Sequence, residues 1–247
     1  MIDAFSALRA HAGGVPPHWR DGRTRLSTYH SKAYHMKKSI LFALMFAGLT
    51  QAASAEVLLS EGFDDVPALA GQGWIFSNGS VPPGPVSNWF QGSTDTLSAH
   101  QGAPEAYIAS NYLAAEPGGI LNNWLVTPEF STATTVLVSF WLRAEAFEGT
   151  SDQVRFGFSD GSADLLDFAL DTTVTAPTDA WTRYTIQIGS QGSGSTGRFG
   201  FQHFGIADLS NYVGLDTLTI TAVPEPSTAM ILGLGLAGFA AARRRRA

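Results

Sequence analysis

Two short runs constrain this chain more than anything else in it. In Val154-Arg155-Phe156-Gly157-Phe158 and in Tyr184-Thr185-Ile186-Gln187-Ile188, apolar side chains occupy every second position. Successive side chains of a strand point to opposite faces, so this period sends one row into a core and the other toward solvent. The same enrichment in Val, Ile, Phe, Tyr, Trp and Thr marks residues 57–60, 106–110, 134–143, 153–159, 181–188, 197–204 and 212–222, with Gly, Pro, Asn, Asp and Ser between them. No stretch carries a sustained helical stripe. Many short strands broken by turn formers predict an all-β domain over residues 56–222, a two-sheet sandwich of jelly-roll type. The longest irregular region, residues 77–103, contains Val81-Pro82-Pro83-Gly84-Pro85 and Trp89-Phe90 and reads as a surface loop pinned by aromatics.

Both flanks of that domain carry targeting patterns. Met36-Lys37-Lys38, an apolar run over 39–49 and Ala53-Ser54-Ala55 before Glu56 form the basic, apolar and small-x-small parts of a secretory signal peptide. Residues 36–55 are therefore expected to engage the general secretion machinery and to be cut by signal peptidase at Ala53-x-Ala55. Residues 1–35 hold five basic residues and four of the six histidines without a periodic apolar pattern. We expect them to be a disordered, misassigned upstream extension, with translation starting at Met36.

At the other end, Val223-Pro224-Glu225-Pro226-Ser227 precedes an uncharged run over 228–242 and then Arg243, Arg244, Arg245 and Arg246. An apolar helix satisfies its own backbone in lipid, and arginines hold the cytoplasmic side. Fifteen residues rise roughly 22 Å, short of a hydrocarbon core of roughly 30 Å, which suits a transient stop better than a permanent anchor. The glycines at 233, 235 and 238 spell G-x-G-x-x-G, but nine residues after the last leave no room for the crossover helix and second strand of a dinucleotide fold. Residues 223–247 resemble a PEP-CTERM sorting signal. That resemblance implies a single transmembrane sorting helix and recognition of Pro224, Glu225 and Pro226 by an exosortase at the inner membrane of a Gram-negative bacterium. The protein would then pass to the cell surface or the exopolysaccharide matrix of a biofilm.

Setting both signals aside changes the charge. Residues 56–226 hold nineteen acidic residues against four arginines, Arg143, Arg155, Arg183 and Arg198, and no lysine, a net of −15. A field of this sign repels nucleic acid, which is excluded as a partner, and attracts cations such as calcium. Without cysteine the domain forgoes disulfides and stands on its core.

The signals along the domain run in the order Glu61-Gly62-Phe63-Asp64-Asp65, Gly73-Trp74, Asn88-Trp89, Ala106 to Asn111, Asn122-Asn123-Trp124-Leu125-Val126-Thr127-Pro128, Leu137 to Trp141, and Gly214-Leu215-Asp216-Thr217-Leu218-Thr219-Ile220. This order resembles the choice-of-anchor J domain, which is similar to cleaved-adhesin and MAM-type jelly rolls. The resemblance implies first and last strands lying close together, so that acidic residues from each can share a structural calcium. Glu61, Asp64, Asp65 and Asp216 are the candidate ligands, calcium being satisfied by oxygens in flexible geometry. Related sequences often close with two adjacent acidic residues, whereas Thr217 follows Asp216 here.

No catalytic residue set is identified and the protein is expected not to be an enzyme. Outside the flanks only His100 and His203 could serve a Ser-His-Asp arrangement, and His203 reads as a half-buried strand residue. Trp141 and Trp181 sit in apolar strand patterns and read as core, whereas Trp89 and Phe90, set among loop residues, are the candidate contacts for an extracellular polysaccharide, although packing in the core or pinning of the loop is the favoured reading of the pair. The expected role is structural or adhesive; the alternative is a carbohydrate-binding module or a weak glycan-active enzyme.

Overall fold

The computed structural model describes residues 55–223 and the single positions Gly235, Gly238, Arg243 and Arg244, which are helical and exposed. The extension at 1–35, the signal peptide apart from Ala55, the Pro224-Glu225-Pro226 motif, Arg245 and Arg246 lie outside the described residues. Among the described residues no helix is long and apolar enough to cross a membrane.

Thirteen strands follow in chain order: β1 (Glu56–Glu61), β2 (Ile75–Asn78), β3 (Val81–Pro83), β4 (Phe90–Gln91), β5 (Ile108–Asn111), β6 (Ala115–Val126), β7 (Phe130–Ser131), β8 (Val136–Ala144), β9 (Gln153–Ser159), β10 (Ala169–Thr175), β11 (Thr182–Ile188), β12 (Thr196–Ile206) and β13 (Tyr212–Ala222). One sheet has the order β11-β8-β13-β5-β4 with β1 also on β13; the other has β10-β9-β12-β6-β2 with β3 on β6 and β7 on β12. Strand β13 lies in the middle of the first sheet. Along one side it pairs with β8, and along the other its first half pairs with β5 and its second with β1.

The alternation read from the sequence builds the core between the sheets. Val154 and Phe156 of β9 are buried, and Arg155 between them faces away. Phe140 is the hub: its ring lies 5.0 Å from Phe156, 4.8 Å from Phe201 and 5.8 Å from Tyr184. The first two pairs are edge-to-face and the third is stacked, and aromatic pairs of both kinds add to the stabilisation from area burial alone. Two smaller clusters sit on the outer faces. Tyr107 and Tyr212 pack with Trp181 on the first sheet, and Trp124 and Val126 pack with Phe168 on the second. Trp141 and Trp181 are half-buried on that outer surface of the first sheet rather than in the core expected for them.

The region read as irregular, residues 77–103, carries the end of β2 and all of β3 and β4. These strands are two to four residues long and are held by the neighbouring β6 and β5 rather than by their own pattern.

Candidate functional site

The corner where the first and last strands meet is built around Asp216. Strand β1 pairs with β13, placing Glu61 opposite Leu218, so the two ends of the domain are neighbours. The β13–β8 register shifts between Asp216 and Thr219, and Thr217 sits at φ 50°, a bulge that re-aims the side chains at its centre. Asp216 is fully buried. Its Oδ2 accepts the backbone N–H groups of His100 at 2.7 Å and Gln101 at 3.1 Å, and its Oδ1 accepts the N–H and hydroxyl of Thr217. The His100 ring stacks on Trp141 with centroids 3.8 Å apart, so the 92–107 loop is latched over the first sheet. Burial pushes the Asp216 carboxyl above the ordinary carboxylate range, and the donors of Gln101, His100 and Thr217 pull against that shift.

The four expected calcium ligands do not assemble into one set. Glu61 and Asp64 line an open pocket of about 190 Å³ with Ser60, Gln101 and Thr217. Asp65 instead caps the 3-10 turn Val66–Gln72, accepting the Ala68 N–H, and the oxygens of Asp216 are occupied by the four donors above. Among the described residues no group of three or more acidic or histidine side chains is arranged to hold a metal.

Trp89 is 3% exposed and its Nε1 donates to the Asn123 carbonyl at 3.2 Å. It belongs to the core, in line with the favoured packing reading, and is withdrawn as a candidate glycan contact: the indole N–H finds a strand carbonyl, so the ring packs inward despite its turn-forming neighbours. Phe90 is half-buried against Tyr212, with ring centroids 5.9 Å apart.

His203 is fully buried rather than half-buried. Its Nδ1 lies 3.0 Å from Ser110 Oγ and its Nε2 3.0 Å from Asp152 Oδ1, which also accepts the Asn211 N–H at 2.8 Å. Ser110 in turn accepts from Asn123 Nδ2 at 2.9 Å. These residue types match a nucleophile, base and orienting acid, but Ser110, His203 and Asp152 are all at most 2% exposed. A triad needs an open side toward substrate; this network instead ties β5 of one sheet to β6 and β12 of the other.

The outer face of the second sheet gathers a further set of polar and aromatic side chains. The registers place Gln202 beside both Arg155 and Trp124, and Phe204 beside both Asn122 and Gln153. Direct cross-strand partners share a face, so β9, β12 and β6 contribute to one surface. The Arg155 guanidinium carbon lies 3.7 Å from the Phe204 ring centroid, a cation–π contact. Asn122 Oδ1 accepts from Trp124 Nε1 and Gln202 Nε2, each at 2.7 Å, while Gln202 Oε1 is buried without a partner. At one end Phe168 covers this face, packing on Trp124 with centroids 5.9 Å apart. At the other end it stays open, with Val81, Ile120 and Ile206 exposed in one cross-strand row. The sequence signal for this surface is the polar half of each alternation, Arg155 between Val154 and Phe156 and Gln202 between Phe201 and His203.

An all-β sandwich of two sheets is a fold this chain shares with cleaved adhesin domains. The K3 cleaved adhesin domain of Lys-gingipain from Porphyromonas gingivalis w83 is similar in fold, at 22% identity and a TM-score of 0.50 over 69% of this chain and 100% of that one. The K1 cleaved adhesin domain of the same protein gives 21% identity and a TM-score of 0.52 over 67% of this chain and 98% of that one. Residues 222–246 match the PEP-CTERM protein-sorting motif, the mark of an exported, surface-directed protein. No curated protein matches the sequence.

Proposed function

We propose that this protein is exported through a signal peptide cut after Ala55, held briefly by its C-terminal helix with Arg243 to Arg246 on the cytoplasmic side, and processed by an exosortase near Pro224-Glu225-Pro226. The β-sandwich then serves at the cell surface or in the exopolysaccharide matrix as a structural or adhesive module. The observation that carries this reading is the sorting motif at 222–246, which begins where β13 ends at Ala222. Proline disfavours helix in the residue before it, and a protease-like site grips an extended segment, which suits Pro224-Glu225-Pro226 to recognition. In a host with a matching exosortase, mass spectrometry of the surface protein should find residues 243–246 gone. Replacing Pro224-Glu225-Pro226 with three alanines should leave an unprocessed, membrane-bound form. Retention of Arg243 to Arg246 on the wild-type surface protein would refute the sorting reading.

The second reading, a carbohydrate-binding module, is favoured by the open face around Arg155 and Phe204.

A further inference from the structure

We propose that the outer face of the β10-β9-β12-β6-β2 sheet, centred on Arg155, Phe204, Gln202 and Asn122, binds a neutral polysaccharide chain. This rests on the reading of the protein as a surface or matrix module and names its ligand class.

The first support is an unmet demand. Gln202 is 9% exposed, its Nε2 is committed to Asn122, and its Oε1 has no partner. Buried polar atoms without partners are uncommon and unfavourable; the oxygen is enclosed as it stands, and a hydroxyl donor at this face would satisfy it once the Gln202 side chain turns outward. Beside it, Arg155 makes no ion pair or side-chain hydrogen bond among the described residues, although a guanidinium offers five N–H donors. Arg198 is engaged by Glu129 and by the Gly161 and Thr127 carbonyls and Arg183 donates to Ser139, whereas the Arg143 Nε is unpartnered but buried.

The second support is rigidity. Asn122 accepts from Trp124 and Gln202 and donates to the Gly79 carbonyl at 3.3 Å. Arg155 lies against the Phe204 ring. These contacts fix the polar atoms and the aromatic ring before a ligand arrives, which lowers the ordering cost of binding.

The chemistry on offer selects the ligand. Arg155 only donates and Gln202 Oε1 only accepts, so the occupant must supply both kinds of group, as sugar hydroxyls do. A phosphodiester or carboxylate has no hydrogen to give Gln202 and meets the field of a domain with net charge −15 over residues 56–226. Phe204, with Ile120 and Ile206 at the open end, supplies apolar surface for the C–H faces of sugar rings. The strand positions of this face between the Ile120–Ile206 row and the Trp124–Gln202 row carry no carboxylate.

The test is native affinity electrophoresis of the full chain through gels containing xylan, β-1,3-glucan, galactan or mannan, with alginate as the anionic polymer. At least one neutral polymer should retard the wild type. Arg155→Ala and Phe204→Ala should each weaken that binding about tenfold or more, the loss expected when a central contact is truncated, with unchanged melting temperature in Arg155→Ala. Retardation by no neutral polymer, retardation by alginate alone, or equal retardation of Arg155→Ala would overturn the inference. So would saturable binding of a purified protein partner that Arg155→Ala abolishes while no sugar binds. None of these results touches the sorting reading, which the fate of residues 243–246 decides separately.

Discussion

Removing the Asp216 carboxylate should be among the costliest single changes in the domain. Asp216→Ala leaves the N–H groups of His100, Gln101 and Thr217 and the Thr217 hydroxyl without their acceptor. Hydrogen bonds to a charged group contribute about 1.5–3 kcal/mol each, less when they share one acceptor, so a loss of about 3–5 kcal/mol is expected. For a domain of this size that lowers the melting temperature by about 10 °C or more. Chemical denaturation of wild type, Asp216→Ala and Asp216→Asn at several pH values is the assay. The sign of the pH effect follows from burial raising the Asp216 pKa in the folded state. This group's contribution is fully present below the unfolded carboxylate value and is lost as pH rises through the raised one. The stability of wild type relative to Asp216→Asn should therefore grow as pH falls from neutral into the carboxylate range. A gap that stays constant or narrows on acidification would refute the view that burial outweighs the donors, and a cost of Asp216→Ala below about 1 kcal/mol would refute the latch.

Phe140→Ala, at the hub of the aromatic core, should cost about 3–5 kcal/mol by lost burial and a residual cavity, read as a shifted denaturation midpoint. Asp152→Ala strands His203 and the Asn211 N–H in the core and should cost about 3–5 kcal/mol, more than Ser110→Ala in the same assay. Calcium remains a proposal of the sequence. If it binds the Glu61–Asp64 pocket, added calcium should raise the melting temperature of wild type and of Asp216→Asn alike, and of Glu61→Gln and Asp64→Asn little; a wild type indifferent to calcium and to chelator would sink the site.

The sandwich was legible because its long strands alternate strictly. Residues 153–159 and 212–222 coincide with β9 and β13, and the expected strand at 181–188 overlaps β11. Strand β6 was hidden because Pro117, Gly118 and Gly119 interrupt it with turn formers and Gly118 takes φ 72°. Pairing with β12 holds residues 120–126, and β3, opposite Ala115 and Ile120, brackets the interrupted stretch. The acidic corner was legible as a place but not as chemistry. Proximity of Glu61 to β13 followed from the fold resembled, whereas the occupation of Asp216 by backbone donors from residues 100 and 101 depends on a loop packing across more than a hundred residues of sequence. The burial of Trp89 was legible as packing, but its partner was not: the Asn123 carbonyl lies on a strand distant in the chain.

The place of β13 has a consequence for the order in which the protein can be completed. The strand made last sits in the middle of its sheet, and until Tyr212–Ala222 is available, β8 on one side and β5 and β1 on the other have nothing to join them. A chain emerging amino end first therefore cannot close this sheet until the residues directly before the sorting segment have also emerged. Folding of the domain and arrival of the sorting segment become nearly simultaneous, and a product truncated anywhere before β13 is left with exposed strand edges, a ready target for proteolysis.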